Sequence, residues 1–192
     1  TLRTTVSQQQ LAMVYLNMVG AQDELVFDGT SFVLDAAGQL CAELKPFEED
    51  FALVSFVDGV PQAQLLPELP SLEAQVYAAL VLGVRDYVQK NSFPGAIIGL
   101  SGGVDSALTL AIAVDALGKD KVRAVMMPSP YTAEISWIDS RDMAARLGVR
   151  YDEISIAECF DAFRTSLQPL FTGLADDTTE ENLQARIRGT LL

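Results

Sequence analysis

The sequence predicts an α/β fold with a doubly wound parallel sheet, preceded by a strand-rich segment. Two observations lead to this prediction. From residue 71 onward, helix-like apolar periodicity alternates with short apolar runs, which is typical of parallel strands joined by right-handed crossovers. Before about residue 57, short apolar runs are separated by Asp/Gly turns, which favours antiparallel hairpins.

The strand-rich segment contains apolar runs at 13–16, 25–27, 31–34 and 40–44. Asp28-Gly29 and the residues from Asp35 to Gly38 supply the turn signals between them. Residues 58–70 contain three prolines and show little periodicity. We therefore expect a linker there.

A helical period begins after Ser71, a plausible N-cap, with its predicted buried face formed by Val76, Leu80, Val84 and Val88. Strands are then expected at 96–100, 122–127 and 151–156, with helices at 106–117 and 136–147 between them. Because ligands of such sheets bind at the carboxyl ends of the strands, the loop after the first strand should lie beside the exit loop Met127-Pro128-Ser129.

Composition excludes several classes of function. The formal net charge is −13, which argues against nucleic acid or an anionic membrane as the main partner. Histidine is absent, so no histidine-based triad or metal site can form within this chain. No membrane span or signal peptide is visible, and the two cysteines, Cys41 and Cys159, match no metal or redox spacing. We expect both to be core residues in a cytoplasmic protein.

The loop after the first parallel strand predicts a nucleotide site. Ser101-Gly102-Gly103-Val104-Asp105-Ser106 follows an apolar run and precedes a helix, so unpaired N–H groups and the positive helix end face an anion. A carboxylate beside phosphates is unfavourable unless a divalent cation lies between them, as Mg²⁺ does. The bland alternative is a serine-capped turn whose glycines serve packing alone.

The loop fits neither of the two commonest phosphate-binding motifs. No Lys follows the glycines, as the P-loop requires, and Gly-x-Gly-x-x-Gly is absent. Ser-Gly-Gly-x-Asp-Ser instead resembles the pyrophosphate loop of the ATP-pyrophosphatase superfamily. That resemblance implies an adenine nucleotide alpha hydrolase-like fold and the release of pyrophosphate from ATP.

The last helix offers a second anion site. Its expected capping box runs from Thr178 to Glu181, and its expected buried stripe comprises Leu183, Ile187, Thr190 and Leu191. Asn182 and Arg186 lie along one edge of that stripe, and Gln184 and Arg188 lie along the other. Spacing alone leaves open which edge serves a pocket, and it equally allows a solvated amphipathic helix.

Four blocks together resemble the glutamine-dependent NAD synthetase family: 14–29, 99–107, 127–129 and 181–189. The Ser-Gly-Gly block is specific only to the superfamily, whereas its combination with Gln-Asp-Glu-Leu-Val-Phe-Asp-Gly at 22–29 is specific to the family. The resemblance implies that residues 1–57 are the C-terminal part of a nitrilase-like glutaminase domain, an α/β sandwich. It also implies that residues 58–70 are a linker and that residues 71–192 begin the synthetase domain.

The resemblance further implies a reaction and its ligands. ATP with Mg²⁺ would adenylate deamido-NAD, and ammonia from glutamine would displace AMP to give NAD, in a homodimer or larger oligomer. The implied deamido-NAD contacts are Asn182 and Arg186, and the implied Mg²⁺ ligand is Asp105. The implied ATP contacts are Gly99, Leu100, Ser101, Gly102, Gly103, Val104, Asp105 and Ser106.

No catalytic residue is assignable on this chain, because the family's glutaminase Glu, Lys and Cys lie upstream of the matching blocks. The chain begins at Thr1 rather than Met and stops within a helical pattern, so we expect a piece of a larger protein. Two alternatives stay open. One is another pyrophosphate-loop amidotransferase, such as a GMP or asparagine synthetase, and the other is a non-catalytic interaction module.

Overall fold

The computed structural model describes residues 2–62, 65–173 and 177–192. The chain forms two compact units, one ending at Asn91 and the other beginning at Ser92. Among the described residues, no helix combines the length and apolar character needed to cross a membrane. The predicted linker includes residues 63 and 64, which lie outside the described residues, and the predicted domain limits stay predictions.

The first unit is rich in short antiparallel strands. Strands β1, β4 and β5 form one sheet in the order β1-β4-β5, while β2 pairs with β3 and β6 pairs with β7. Its elements are α1 (Leu2–Gln9), β1 (Met13–Tyr15), β2 (Val19–Gln22), β3 (Leu25–Asp28), β4 (Phe32–Leu34), β5 (Leu40–Glu43), β6 (Phe56–Val57), β7 (Val60–Pro61) and α2 (Leu72–Lys90).

The predicted hairpin character of this unit is confirmed for β4 and β5. It is wrong at Asp28-Gly29, because β3 pairs with β2 while β4 pairs with β1 and β5. Several other elements were not predicted. The β4–β5 turn follows the expected Asp-to-Gly segment, where Asp35 Oδ1 accepts hydrogen bonds from Ala37 N and Gln39 N. Helix α1 and strand β2 carry too few periodic apolar residues to be predicted from pattern alone. Asp58 and Gly59 form the turn of the β6–β7 hairpin, so the predicted linker begins with a hairpin turn.

Helix α2 begins where expected, because Ser71 Oγ accepts a hydrogen bond from Ala74 N. The predicted buried face is wrong in its first half: Val76 and Leu80 are 52% and 47% exposed, whereas Leu82 and Val88 are buried. The β2–β3 hairpin contacts the later part of the helix, where Asp86 accepts from Ala21 N. Apolar periodicity alone does not show how far along a helix its covering partner extends.

The second unit contains the parallel sheet, with strand order β10-β9-β8. Gly99 of β8 is in register with Val125 of β9, and Glu153 of β10 is in register with Met126. The elements are β8 (Ala96–Gly99), α3 (Val104–Leu117), a 3₁₀ turn (Lys119–Lys121), β9 (Val122–Met126), α4 (Glu134–Leu147), β10 (Arg150–Glu153), α5 (Ala157–Leu167) and α6 (Thr178–Leu191).

Helices cover both faces of this sheet. Alternate residues of β9 point to opposite faces: Val122 and Ala124 lie in a core with Leu110 of α3 and Ala144 of α4. Val125 lies in a second core formed by Met127, Ile156, Phe160 and Ile187. The predicted α/β fold with a doubly wound parallel sheet is therefore confirmed.

Candidate nucleotide-binding site

The serine–glycine loop occupies the carboxyl end of β8, as predicted. Strand β8 ends at Gly99 and helix α3 begins at Val104. Leu100 is buried, and its N–H donates to Val125 O of the neighbouring strand at 2.9 Å. The loop therefore leaves the sheet from a fixed point and leads directly into a helix N-terminus.

Two serine hydroxyls hold the loop in a closed ring of hydrogen bonds. Ser106 Oγ donates to Gly103 O at 2.9 Å and lies 3.0 Å from Ser101 Oγ. Ser101 N donates to Ser106 Oγ at 3.2 Å, and Gly103 N donates to Ser101 Oγ at 3.3 Å. The N–H groups of the first turn of α3 have no intrahelical acceptor, so they are available to an anion.

The two glycines are required for different reasons. Gly102 has φ +82°, and a Cβ atom there would lie 2.6 Å from Cα of Ser136 in α4. Gly103 has φ −87°, and a Cβ atom there would meet only Ser101 Oγ, at 3.4 Å. Packing and backbone conformation therefore explain Gly102, as the bland alternative held. They do not explain Gly103, where a side chain would fit.

Asp105 presents a carboxylate in the first turn of α3. Its side chain is exposed, and it forms no ion pair with the described residues. Within the described part of the chain, no three His, Cys, Asp or Glu residues cluster as a ready-made metal site. A carboxylate at a helix N-terminus nevertheless suits Mg²⁺, which takes its other ligands from phosphate oxygens and water.

The exit loop of β9 adjoins this site. A Cβ atom at Gly99 would lie 3.6 Å from Met127 Cε, so the two strand ends are neighbours, as predicted from the parallel topology. Ser129 N donates to Thr132 Oγ1 at 2.8 Å, and Ile156 N donates to Pro128 O at 3.0 Å. These bonds hold the loop on both sides.

The capping box of α6 lies one residue earlier than predicted. Asp177, not Thr178, is the N-cap: its Oδ1 accepts from Thr179 N, and its N–H donates to Glu180 Oε2, each at 2.7 Å. Asp is as good an N-cap as Thr, and either register satisfies a capping box in this run of two threonines and two glutamates.

The two edges of α6 have different surroundings. Gln184 is buried and Arg188 half-buried, whereas Asn182 and Arg186 are exposed and contact each other through Arg186 Nη1 and Asn182 O at 3.4 Å. The predicted stripe is right for Ile187 and wrong for its last two members, Thr190 and Leu191, which are exposed. The roles of Asn182 and Arg186 toward a dinucleotide stay predictions.

Arg188 is the residue near the site that sequence reasoning left undecided. Its Nε donates to Met127 O at 3.0 Å, and its Nη2 donates to Gln184 Oε1 at 3.3 Å. Burial lowers the pKa of Arg188 from its usual range. The spacing of α6 presented this edge as one of two candidates, and the family resemblance selected the other edge, with Asn182 and Arg186.

The prediction that both cysteines are core residues is wrong for Cys159. Its thiol side is exposed, whereas Cys41 is half-buried. In helix α5 the buried residue is Phe160, and Phe163 is 51% exposed. Phe160 packs with Val125 of β9, and Cys159 does not belong to that core.

Comparison with known proteins finds similar sequences along the whole chain. The NAD synthase family model matches residues 76–192. The glutamine-dependent NAD(+) synthetase of Acinetobacter baylyi is 45% identical over 194 aligned residues, which cover 100% of this chain and 36% of that protein. The chain thus spans about a third of the length of the curated relatives that it matches.

Two solved structures show the same architecture. The glutamine-dependent NAD+ synthetase from Acinetobacter baumannii, solved in complex with ADP, superposes with a TM-score of 0.94 at 45% identity, covering 99% of this chain and 36% of that one. The NMN synthetase from Francisella tularensis gives a TM-score of 0.56 at 28% identity, over 62% of this chain and 48% of that one. The predicted adenine nucleotide fold of the parallel-sheet part is therefore confirmed.

Proposed function

Since the chain belongs to the NAD synthase family, we propose that it carries the nucleotide-binding part of an enzyme that amidates deamido-NAD to NAD at the expense of ATP. The observation that carries the proposal is the loop between β8 and α3, which combines available N–H groups with the exposed carboxylate of Asp105. The ADP in the similar Acinetobacter baumannii structure supports an adenine nucleotide as the ligand.

The reaction we propose has two displacement steps. A carboxylate oxygen of the nicotinate ring attacks the α-phosphorus of ATP, the bond to the bridging oxygen breaks, and pyrophosphate leaves. Ammonia then attacks the acyl carbon of the adenylate, loses a proton, and displaces AMP. Asp105 would hold Mg²⁺, which when bound would neutralise charge on the departing pyrophosphate.

The chain's own residues bind and orient the phosphates. The first-turn N–H groups of α3 point toward the anion together with the positive end of the helix dipole. Gly103 leaves room for close approach, because no side chain covers the backbone there. The ring formed by Ser101 and Ser106 holds these donors in place before the nucleotide arrives, which reduces the cost of ordering them on binding.

The exposed edge of α6 is the proposed dinucleotide contact. Asn182 offers an amide and Arg186 a guanidinium, both suited to phosphate or carboxylate oxygens. We propose glutamine as the nitrogen source, a homodimer or larger assembly as the working state, and the cytoplasm as its location. Neither nucleic acid nor a membrane is a proposed partner, because the chain carries a net charge of −13.

An assay of the full-length protein with Mg²⁺-ATP and glutamine tests this function. AMP, pyrophosphate and NAD are expected in equal amounts with deamido-NAD as acceptor. Nicotinate mononucleotide is the informative second acceptor, given the similarity to an NMN synthetase, and xanthosine monophosphate and aspartate test the other amidotransferases. Product from one of those acceptors and none from deamido-NAD would overturn the proposal. Absence of any nucleotide binding would favour a non-catalytic module.

A further inference from the structure

One guanidinium connects α6 to the carboxyl end of β9. Arg188 donates from Nε to the carbonyl oxygen of Met127 at 3.0 Å, and from Nη2 to Gln184 Oε1 at 3.3 Å. Met127 is the first residue after β9, where the exit loop beside the serine–glycine loop begins. Arg188 is thus bonded to the backbone at the edge of the site while belonging to the helix that carries Asn182 and Arg186.

The surroundings of this connection are packed. Gln184 is only 9% exposed and Ile187 only 6%, and Ile187 lies in the core formed with Val125 and Met127. At the far end of the helix, a Cβ atom at Gly99 would lie 3.0 Å from Leu192 Cδ1. The helix therefore contacts the ends of both β8 and β9, with Arg188 as its polar contact to the second.

Helix geometry links the two edges. Residues two positions apart differ by about 200° around an α-helix, so an inward Arg188 directs Arg186 outward. Within the part of the chain that the structure describes, Arg186 has no comparable anchor, since its hydrogen bond at 3.4 Å is to Asn182 O on its own helix. The direction of the exposed edge therefore depends on how the buried edge is held.

We propose that Arg188, together with Gln184, is a positioning residue: it fixes the rotation of α6 and so presents Asn182 and Arg186 to the acidic dinucleotide without touching that substrate. The proposal rests on the proposed function for the identity of the substrate. The connection itself is independent of that identity, because both of its acceptors belong to this chain.

The test uses the full-length enzyme and the variants Arg188→Ala, Arg188→Lys and Gln184→Ala. Loss of the charged hydrogen bonds should raise the KM for deamido-NAD about tenfold in Arg188→Ala, and less in Arg188→Lys, which keeps a donor. The KM for ATP should change by less than about twofold. Arg146→Ala is the matched control, because Arg146 is an exposed helical arginine that pairs with Asp142, and its kinetics should equal the wild type.

A double-mutant cycle separates positioning from direct contact. If Arg188 acts through Arg186, adding Arg188→Ala to Arg186→Ala should raise the KM for deamido-NAD little further, because neighbouring residues that act together are non-additive. Fully additive effects would overturn the proposal, as would an unchanged KM in Arg188→Ala. Equal rises in both KM values would mean general damage to the domain and would equally overturn it.

Hydrogen–deuterium exchange gives a readout that needs no turnover. Amides of α6 and of the exit loop at 127–132 should exchange faster in Arg188→Ala than in wild type or Arg146→Ala. Unchanged exchange would overturn the proposed connection. If Arg188→Ala fails to fold, Arg188→Lys and Gln184→Ala carry the same measurements. A wild-type enzyme without activity on deamido-NAD would refute the proposed function alone, since the exchange result would still decide the role of Arg188.

Discussion

Gly102 of the serine–glycine loop lies directly against the backbone of Ser136 in helix α4. A Cβ atom at Gly102 would fall 2.6 Å from Ser136 Cα and 2.7 Å from Ser136 O, and the glycine has φ +82°. Neither backbone atom can move aside without shifting the first turn of α4. The loop is thus positioned by α4, which follows strand β9, as well as by α3, into which it leads.

Gly102→Ala should destabilise the protein, by about 1–3 kcal/mol, because it combines overpacking with an unfavourable φ. Thermal and denaturant unfolding measure the loss. Gly103→Ala is the matched variant: its Cβ would make an ordinary 3.4 Å contact with Ser101 Oγ at φ −87°. Its stability should stay within about 0.5 kcal/mol of the wild type. Equal stability losses in both variants would contradict the interpretation that packing and backbone conformation require a glycine at Gly102 but not at Gly103.

The same pair separates packing from ligand binding. Gly103→Ala places a methyl group where phosphate oxygens are expected to approach the backbone, so its Kd for Mg²⁺-ATP should rise at least about tenfold while its Tm is kept. Calorimetric titration of the full-length variant gives the Kd. An unchanged Kd would mean that the phosphates bind elsewhere.

Asp105→Asn should abolish Mg²⁺-dependent formation of AMP and pyrophosphate with little change in stability. The side chain is exposed and unpaired among the described residues, so the fold loses no contact, whereas the metal loses an anionic ligand. Expected activity is lower by about a hundredfold or more, and a higher Mg²⁺ concentration should restore part of it. Asp139→Asn, on the exposed side of α4, is the control. Near-normal turnover at low Mg²⁺ would remove Asp105 from the metal site.

Local signals in the sequence predicted the local parts of the site. The loop and the Ser71 cap depend on residues close in sequence, whose turn and cap chemistry is decided within a few positions. The parallel sheet was predicted from the alternation of helix-like periodicity with short apolar runs alone. Together these features predicted where a nucleotide site would form.

Non-local packing explains what the sequence did not predict. Val76 lies on an apolar stripe but is exposed, whereas the later part of α2 contacts the β2–β3 hairpin. Arg188 and Arg186 have the same side chain and similar neighbours in sequence, and Arg188 differs in its contact with the carbonyl of Met127, 61 positions away. Non-local packing also explains why Cys159 is exposed, since the position of the sheet decides which face of α5 is buried.

Acid should weaken the contact between α2 and the β2–β3 hairpin. Burial raises the pKa of Asp86. The hydrogen bond from Ala21 N and the nearby Lys90 ammonium outweigh burial and hold that pKa below its usual value. A depressed folded-state pKa means that the stabilisation is present above the unfolded pKa, near 4, and is lost as the pH falls through the lower folded value.

Asp86→Asn should therefore cost about 1–3 kcal/mol at pH 7, and the loss should shrink toward pH 3. Urea unfolding at several pH values measures it. Glu24→Gln, an exposed acid of the same hairpin, should leave the pH dependence intact. A cost for Asp86→Asn that is constant from pH 7 to pH 3 would show that the charge of Asp86 contributes nothing.

The hydroxyl of Tyr151 should behave as a buried group whose hydrogen bonding contributes little to the stability of the protein. Burial, and next the Glu153 carboxylate, raise the pKa of Tyr151 to about 12, while its hydroxyl makes no hydrogen bond within the described part of the chain. A raised folded-state pKa means that the protonated phenol stabilises the fold below the unfolded pKa, near 10. That contribution is lost as the pH rises toward 12.

Tyr151→Phe keeps the ring packed and removes an unsatisfied polar atom, so its stability at pH 7 should equal or exceed that of the wild type. Between pH 10 and 12 the variant should lose less stability than the wild type, as measured by unfolding alongside tyrosinate absorbance. A marked loss at pH 7 would mean that the hydroxyl has a partner and that the sheet edge is held differently.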